Sequence, residues 1–196
     1  MTTYTDAFNR ADESPIAAPW AVVTGTPKIE SQYVKGDAFA AFSVARIPTA
    51  TTGIGQTDHY AQAKIVSAPA GSNEYWAVIC VRCSAVANTW YGYRGDNTDS
   101  EIVKCVAGTI TVLQTGGPAF VVNDVVYLSV EGDTLIAKVN ASQTLTVAGG
   151  SAVASGDPGW GAHHNGPTPR LDDFEAGDIA AGGGPAAAVL QLMMAG

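Results

Sequence analysis

Charged residues are scarce in this chain, and basic residues are the scarcest. Only 14% of the 196 residues are charged, with ten Lys or Arg against eighteen Asp or Glu, which gives a net charge of −8. A nucleic-acid partner is not expected, because no cluster of cations is present to neutralise a phosphate backbone. Because 46% of the residues are hydrophobic, a disordered chain is also excluded.

Cysteine is rare as well, with Cys80, Cys83 and Cys105 as the only three. A spacing of three within one strand places Cys80 and Cys83 on opposite faces, where a mutual disulfide is geometrically awkward. We therefore predict buried free thiols that act as small hydrophobic residues, with no metal site. Such thiols are consistent with folding in a reducing cytosol.

Helical periodicity and long apolar runs are missing too. The N-terminus lacks the basic start and the apolar run of a signal peptide. The apolar run at the C-terminus is far shorter than the roughly 20 residues that span a bilayer. We expect neither a signal peptide nor a membrane partner.

Short apolar runs separated by Gly, Pro, Asn and Asp are what the chain does contain, and they predict an all-β fold. The pairs Gly132-Asp133 and Ala107-Gly108 have the residue types of two-residue hairpin turns. The run YWAVICV (75–81) is apolar at both alternations, which predicts a central strand covered on both faces. We therefore expect an antiparallel two-sheet β-sandwich.

Three motifs resemble concanavalin A-like lectin/glucanase (laminin-G-like) jelly-roll domains. They are DAFNRADESPIAAPW (6–20), VVYLSVEGDTLIAKVN (125–140) and SGDPGWGAHHNGPTPRLDDFEAGD (155–178), and they occur in the family's order. The resemblance implies a jelly roll whose first strand lies beside the last, with Phe8 close to Phe174. It also implies that Trp20 covers one end of the sandwich. The residues of the opening segment independently predict a lid, because Phe8 and Trp20 are apolar anchors and Pro15 and Pro19 disfavour a regular strand.

The C-terminal segment differs from the rest of the chain. We predict a jelly-roll domain over residues 1–180 and an apolar tail over 181–196, hinged at Gly182–Gly184. The apolar side chains of the tail are unfavourable in water, so they are predicted to dock on a partner; folding back on the tail's own domain is the alternative. The docking residues are Val189, Leu190, Leu192, Met193 and Met194.

A small, acidic, Gly-rich domain with such a tail resembles components of bacteriophage virions. This resemblance implies a structural protein, either a capsid decoration protein or a tail component. It would be made in the host cytoplasm and assembled with other virion proteins as a homo-oligomer or in many copies. A role in surface adhesion would be compatible with that position.

A lectin-like module that binds glycans is the alternative function. Such sites stack a sugar ring on an aromatic side chain and hydrogen-bond its hydroxyls through Asp, Asn or His. Two stretches have these residue types. The first comprises Trp90, Tyr91, Tyr93 and Asn97, next to Arg94, and the second comprises Trp160, His163 and His164.

The carboxylates are poorly arranged for catalysis. Glycosidases of this fold need two facing carboxyl groups, whereas Glu131 and Asp133 flank a turn and the adjacent Asp172 and Asp173 diverge. We therefore expect no catalytic residues, no enzymatic activity and no cofactor. Structural calcium stays an open alternative at the loop 96–99 or at Asp172-Asp173, because Asp and Asn oxygens are calcium ligands.

Overall fold

The computed structural model describes residues 1–36, 41–55, 57–67, 76–150, 152–164 and 169–179. Within these residues the chain forms fifteen strands and one short helix. The strands are β1 Thr3–Asp6, β2 Ala21–Thr24, β3 Pro27–Glu30, β4 Tyr33–Gly36, β5 Ala41–Arg46, β6 His59–Ser67, β7 Trp76–Cys83, β8 Trp90–Gly95, β9 Ser100–Val106, β10 Thr109–Gly117, β11 Val125–Glu131, β12 Thr134–Val139, β13 Ser142–Ala148, β14 Asp157–His164 and β15 Arg170–Asp178; the helix is α1 Thr49–Thr52.

The strands form two antiparallel sheets, which confirms the predicted β-sandwich. One sheet has eight strands in the order β13-β12-β11-β6-β15-β4-β3, with β1 paired to β15. The other has seven strands in the order β10-β9-β8-β7-β14-β5-β2. The pairing of β1 with β15 confirms that the first strand lies beside the last.

Both predicted hairpins are present. Ala107 and Gly108, at φ +49° and +85°, connect β9 to β10, and Gly132, at φ +56°, begins the turn between β11 and β12. Positive φ at both central residues, as at Ala107-Gly108, or at a glycine in the first central position, as at Gly132, matches the twist of a two-residue hairpin.

The main core lies between the sheets, and a second apolar cluster lies on the outer face of the seven-stranded sheet. In β7, Ala77, Ile79 and Val81 point into the main core. Trp76, Val78 and Cys80 point the other way, into the outer cluster. Strand β7 is the fourth of seven strands, and all its residues are buried, so the predicted central strand covered on both faces is confirmed.

A β-bulge in β7 overturns one expectation. Cys80 pairs with Gly159 and Cys83 pairs with Asp157. A step of three residues along β7 therefore matches a step of two residues along β14. Arg82 has φ +50° at this point, and the extra residue returns Cys83 to the face that carries Cys80. All three cysteines are free and buried as expected, but they share the outer cluster and do not lie on opposite faces.

The irregular N-terminal segment is a lid, as the opening motif predicted. Phe8 is fully buried, and Trp20 packs against both Phe8 and Phe174, with ring centroids 5.7 Å and 4.8 Å apart. The carboxylate of Asp6 holds the segment in place, because it accepts hydrogen bonds from the Phe8 N–H and the Trp20 indole N–H, both at 2.8 Å. It also pairs with Arg10 at 2.9 Å.

The predicted tail, residues 181–196, lies outside the described residues, so its docking and the domain boundary stay predictions. Among the residues that are described, no helix is long and apolar enough to cross a membrane.

Candidate functional site

Five side chains form a line across the outer face of the seven-stranded sheet, and we call this line the transverse row. They are Phe42, His163, Trp76, Arg94 and Glu101. Strand register places His163 opposite Phe42 on one side and opposite Trp76 on the other. Arg94 lies opposite Glu101 on one neighbouring strand and opposite Val78 on the other. Val78 is the next residue after Trp76 that points to the same face of β7. The row therefore crosses the adjacent strands β5, β14, β7, β8 and β9.

Direct contacts hold the transverse row together. The Phe42 and His163 rings have centroids 4.8 Å apart. The Arg94 guanidinium carbon lies 4.4 Å from the centroid of the Trp76 ring, which is a cation–π distance. The same carbon lies 5.7 Å from the Phe42 ring. Two faces of aromatic side chains thus fix the position of one cation.

An ion pair supplies the polar groups of the row. The Arg94 Nε donates to Glu101 Oε1 at 2.7 Å, and Nη2 contacts the same oxygen. The two side chains keep 14% and 12% of their surface exposed, so the pair is sheltered but within reach of a ligand. A guanidinium has only donors and a carboxylate only acceptors, so the pair offers both kinds of partner to a hydroxylated molecule.

Trp90 lies beneath this face as a buried floor. Its side chain has no exposed surface, and its ring lies so close to Gly92 that a Cβ there would be 2.8 Å from Trp90 Cζ3. Its centroid is 5.6 Å from that of Phe42. The expectation that Trp90 is an exposed stacking platform is therefore corrected, because the glycine lets the indole sink into the sheet.

A cleft of about 250 Å³ lies over this floor. Phe42 and His163 of the transverse row line one end, Cys105 and Ile110 line the other, and Asn88 lies beside Trp90. Burial raises the pKa of the Cys105 thiol, so that the thiol stays uncharged at neutral pH. The cleft is therefore apolar at the end formed by Cys105 and Ile110, and at Phe42 and His163 it adjoins the transverse row, which carries the polar groups.

Three other predicted aromatic residues belong to the main core. Tyr91, Tyr93 and Trp160 are fully buried between the sheets. Tyr91 donates to the carbonyl of Gly149 at 2.9 Å, and Trp160 packs on the lid through Phe8 and Trp20. They cannot stack on a sugar in this arrangement, which corrects the expectation. The alternation of β8 points Tyr91 and Tyr93 inward, away from Trp90 and Arg94.

The remaining predicted residues are dispersed. Asn97 is exposed in a turn where Asp96 Oδ1 accepts the backbone N–H of Thr98 at 2.7 Å. The side chain of His164 lies outside the described part of the chain. In the described ranges, no group of three or more His, Cys, Asp or Glu side chains is placed to hold a metal ion.

Of the predicted residues whose side chains the structure describes, only Trp90 and His163 meet at one site. The sequence reasoning missed Phe42, Trp76 and Glu101, which come from distant segments and meet through strand register. The sequence did contain a signal for Arg94, because the period-two alternation of β8 places Arg94 on the same face as Trp90.

No protein-family model matches the chain, and no curated protein matches it. Solved structures do resemble its fold. A carbohydrate binding module, CBM66 from Bacillus subtilis, is similar at 14% identity with a TM-score of 0.60, over 82% of this chain and 93% of that one. A prokaryotic β-1,3-1,4-glucanase (lichenase) derived from a mouse hindgut metagenome is similar at 9% identity with a TM-score of 0.57, over 91% and 100%.

The Crh5 transglycosylase is also similar, at 12% identity with a TM-score of 0.58, over 91% of this chain and 85% of that one. These likenesses agree with a concanavalin A-like lectin/glucanase fold. They contradict our expectation that the protein is not an enzyme, because structures of this fold include a transglycosylase and a lichenase as well as a binding module.

Proposed function

We propose that the protein binds a carbohydrate on the outer face of the seven-stranded sheet. The observation that carries this proposal is the Arg94–Glu101 ion pair packed on Trp76 in the transverse row. A sugar presents hydroxyls, which donate and accept, and C–H faces, which pack on aromatic rings. The row supplies each complementary group: aromatic surface, a fixed cation and a carboxylate.

The fold supports the same proposal. Among the similar structures, one is named a carbohydrate binding module and two are named enzymes, a glucanase and a transglycosylase. Ligand sites usually combine apolar walls with a few convergent polar groups, which is the composition of the cleft and the adjoining row.

A glycan array followed by calorimetric titration tests the proposal. We expect the Glu101→Gln variant to bind its glycan at least tenfold more weakly than the wild type, because a hydrogen bond to a charged group contributes about 1.5–3 kcal/mol. Glu175→Gln is the matched control. Like Glu101, Glu175 accepts hydrogen bonds from one neighbouring side chain, in this case the Tyr60 hydroxyl at 2.7 Å, but it lies in the other sheet. Equal losses in the two variants, or no glycan bound by the wild type, would contradict the proposal.

Glycan cleavage or transfer is the second candidate function. It is favoured by the Glu101 carboxylate, which would supply one of the two carboxyl groups that glycosidases use, and by the two enzymes of similar fold. Release of reducing ends from the glycan identified on the array would measure cleavage. Under this candidate, Glu101→Gln abolishes the release and Glu175→Gln leaves it unchanged.

The virion role is a separate proposal, because it depends on the tail and not on the sheet face. The chain would then be a phage structural protein held by docking of its apolar C-terminal residues, and a glycan site would serve adhesion. The apolar composition of residues 185–194 supports it.

A further inference from the structure

Asn88 gives the cleft a hydrogen-bond donor of fixed orientation. Its side-chain Oδ1 accepts the indole N–H of Trp90 at 2.9 Å. Because an indole can only donate, this contact determines which end of the amide is oxygen. The Nδ2 of the half-buried Asn88, with its two N–H groups, is therefore the end left for the cleft, and it has no protein acceptor among the residues that the structure describes.

The neighbouring polar groups are already occupied. The backbone carbonyl of Asn88 accepts the Cys105 thiol at 3.3 Å and the Gly108 N–H at 2.8 Å. The Trp90 N–H is bonded to the Asn88 side chain, and Ile110 has no polar side-chain atom. The apolar end of the cleft thus presents one side-chain donor, surrounded by an indole, a protonated thiol and an aliphatic side chain.

This combination selects among the groups that sugars carry. A hydroxyl both donates and accepts, so at this end of the cleft its proton would face apolar walls, which is costly. An acetamido group has an N–H donor next to the sugar ring and, at its outer end, a carbonyl acceptor and a methyl. The outer end matches the Asn88 Nδ2 donor and the apolar walls, and the N–H stays with the ring toward the other end of the cleft.

We infer that this cleft is a subsite for an N-acetylated amino sugar, with its acetamido carbonyl on Asn88 Nδ2 and its methyl over Ile110. The sugar's hydroxyls would then lie toward Phe42 and His163, where the cleft joins the transverse row. This inference rests on the proposed carbohydrate binding and adds the class of sugar.

Calorimetric titration with matched sugar pairs tests the inference. The pairs are β-1,4-linked trimers of N-acetylglucosamine and of glucose, and N-acetylgalactosamine and galactose. We expect the wild type to bind at least one acetylated member about tenfold or more tightly than its parent sugar, because a site built around one hydrogen bond discriminates against a ligand that lacks it.

Asn88→Asp should remove that preference. Aspartate keeps an oxygen for the Trp90 indole and loses the NH₂ donor, so the melting temperature should change little while the affinity for the acetylated sugar falls to that of its parent. Asn97→Asp makes the same substitution at an exposed turn and should leave the preference unchanged.

The other outcomes of the titration contradict either the inference alone or the proposed function as well. Parent sugars that bind as tightly as the acetylated ones, or a preference that survives Asn88→Asp, would overturn the inference and leave the proposed function standing. A protein that binds no glycan of any kind would overturn the proposed function, and the inference with it.

Discussion

Acidification should destabilise this protein through one histidine. His59, at the start of β6, is fully buried. Its Nδ1 lies 3.0 Å from the carbonyl of Gly55, and its Nε2 accepts the backbone N–H of Arg82 at 3.2 Å. The ring is therefore neutral with its proton on Nδ1, and a second proton on Nε2 would face the Arg82 N–H. Arg82 is also the bulge residue that brings Cys83 to the outer cluster.

The size of the effect follows from the pKa of His59. Burial is the main cause that lowers this pKa from 6.5 to about 4, and the charge of Arg82 lowers it further. Below pH 6.5 the unfolded chain binds a proton that the folded chain does not. The free energy of unfolding should therefore fall by up to about 1.4 kcal/mol per pH unit, and by about 3 kcal/mol in total, between pH 6.5 and 4. Above pH 6.5 both states are neutral and His59 contributes no pH dependence.

Urea unfolding at pH values from 4.5 to 7.5 measures this slope. His59→Asn keeps an amide that can donate and accept but does not titrate, so the pH dependence in this window should flatten. If the slope of His59→Asn equals that of the wild type, the buried neutral histidine is not the cause, and the reasoning is refuted.

Two further predictions concern the ends of the chain. Asp6→Ala should lower the free energy of unfolding by about 2–3 kcal/mol, because it removes the acceptor of the buried Trp20 indole and of the Phe8 N–H, whereas Arg10 keeps its partner Glu13. Asp12→Ala removes a single exposed acceptor and should cost under about 1 kcal/mol, so equal losses in urea unfolding would refute the lid account. Deleting residues 182–196 should leave the domain folded but unable to join a particle. A truncated chain that still assembles, observed by sedimentation, would contradict the docking prediction.

The chemistry of neighbouring residues was sufficient to predict the hairpin turns, the central strand and the lid. The hairpin turns at Gly108 and Gly132 depend on residue types that tolerate positive φ. The two-sided apolar pattern of β7 predicted its central position. The lid could be predicted from the sequence, because Phe8 and Trp20 are large apolar residues in a segment without helical or strand periodicity.

The candidate site was harder to predict, because its members lie far apart in the chain. Phe42, Trp76 and His163 are neighbours only because β5, β7 and β14 pair in one register. The aromatic stretch near Trp90 drew attention for its composition, but alternation and Gly92 decided that its rings are buried.

The sequence by itself determined the strands, the tight turns and the apolar anchors of the lid, because each depends on residues a few positions apart. Only the tertiary structure decided which side chains share an outer face. A β-bulge at Arg82, a residue type that gives no sign of positive φ, reversed the expected direction of Cys83. Register between distant strands placed Arg94 and Glu101 beside Trp76, and pairing over such distances is set by the packing of the whole core.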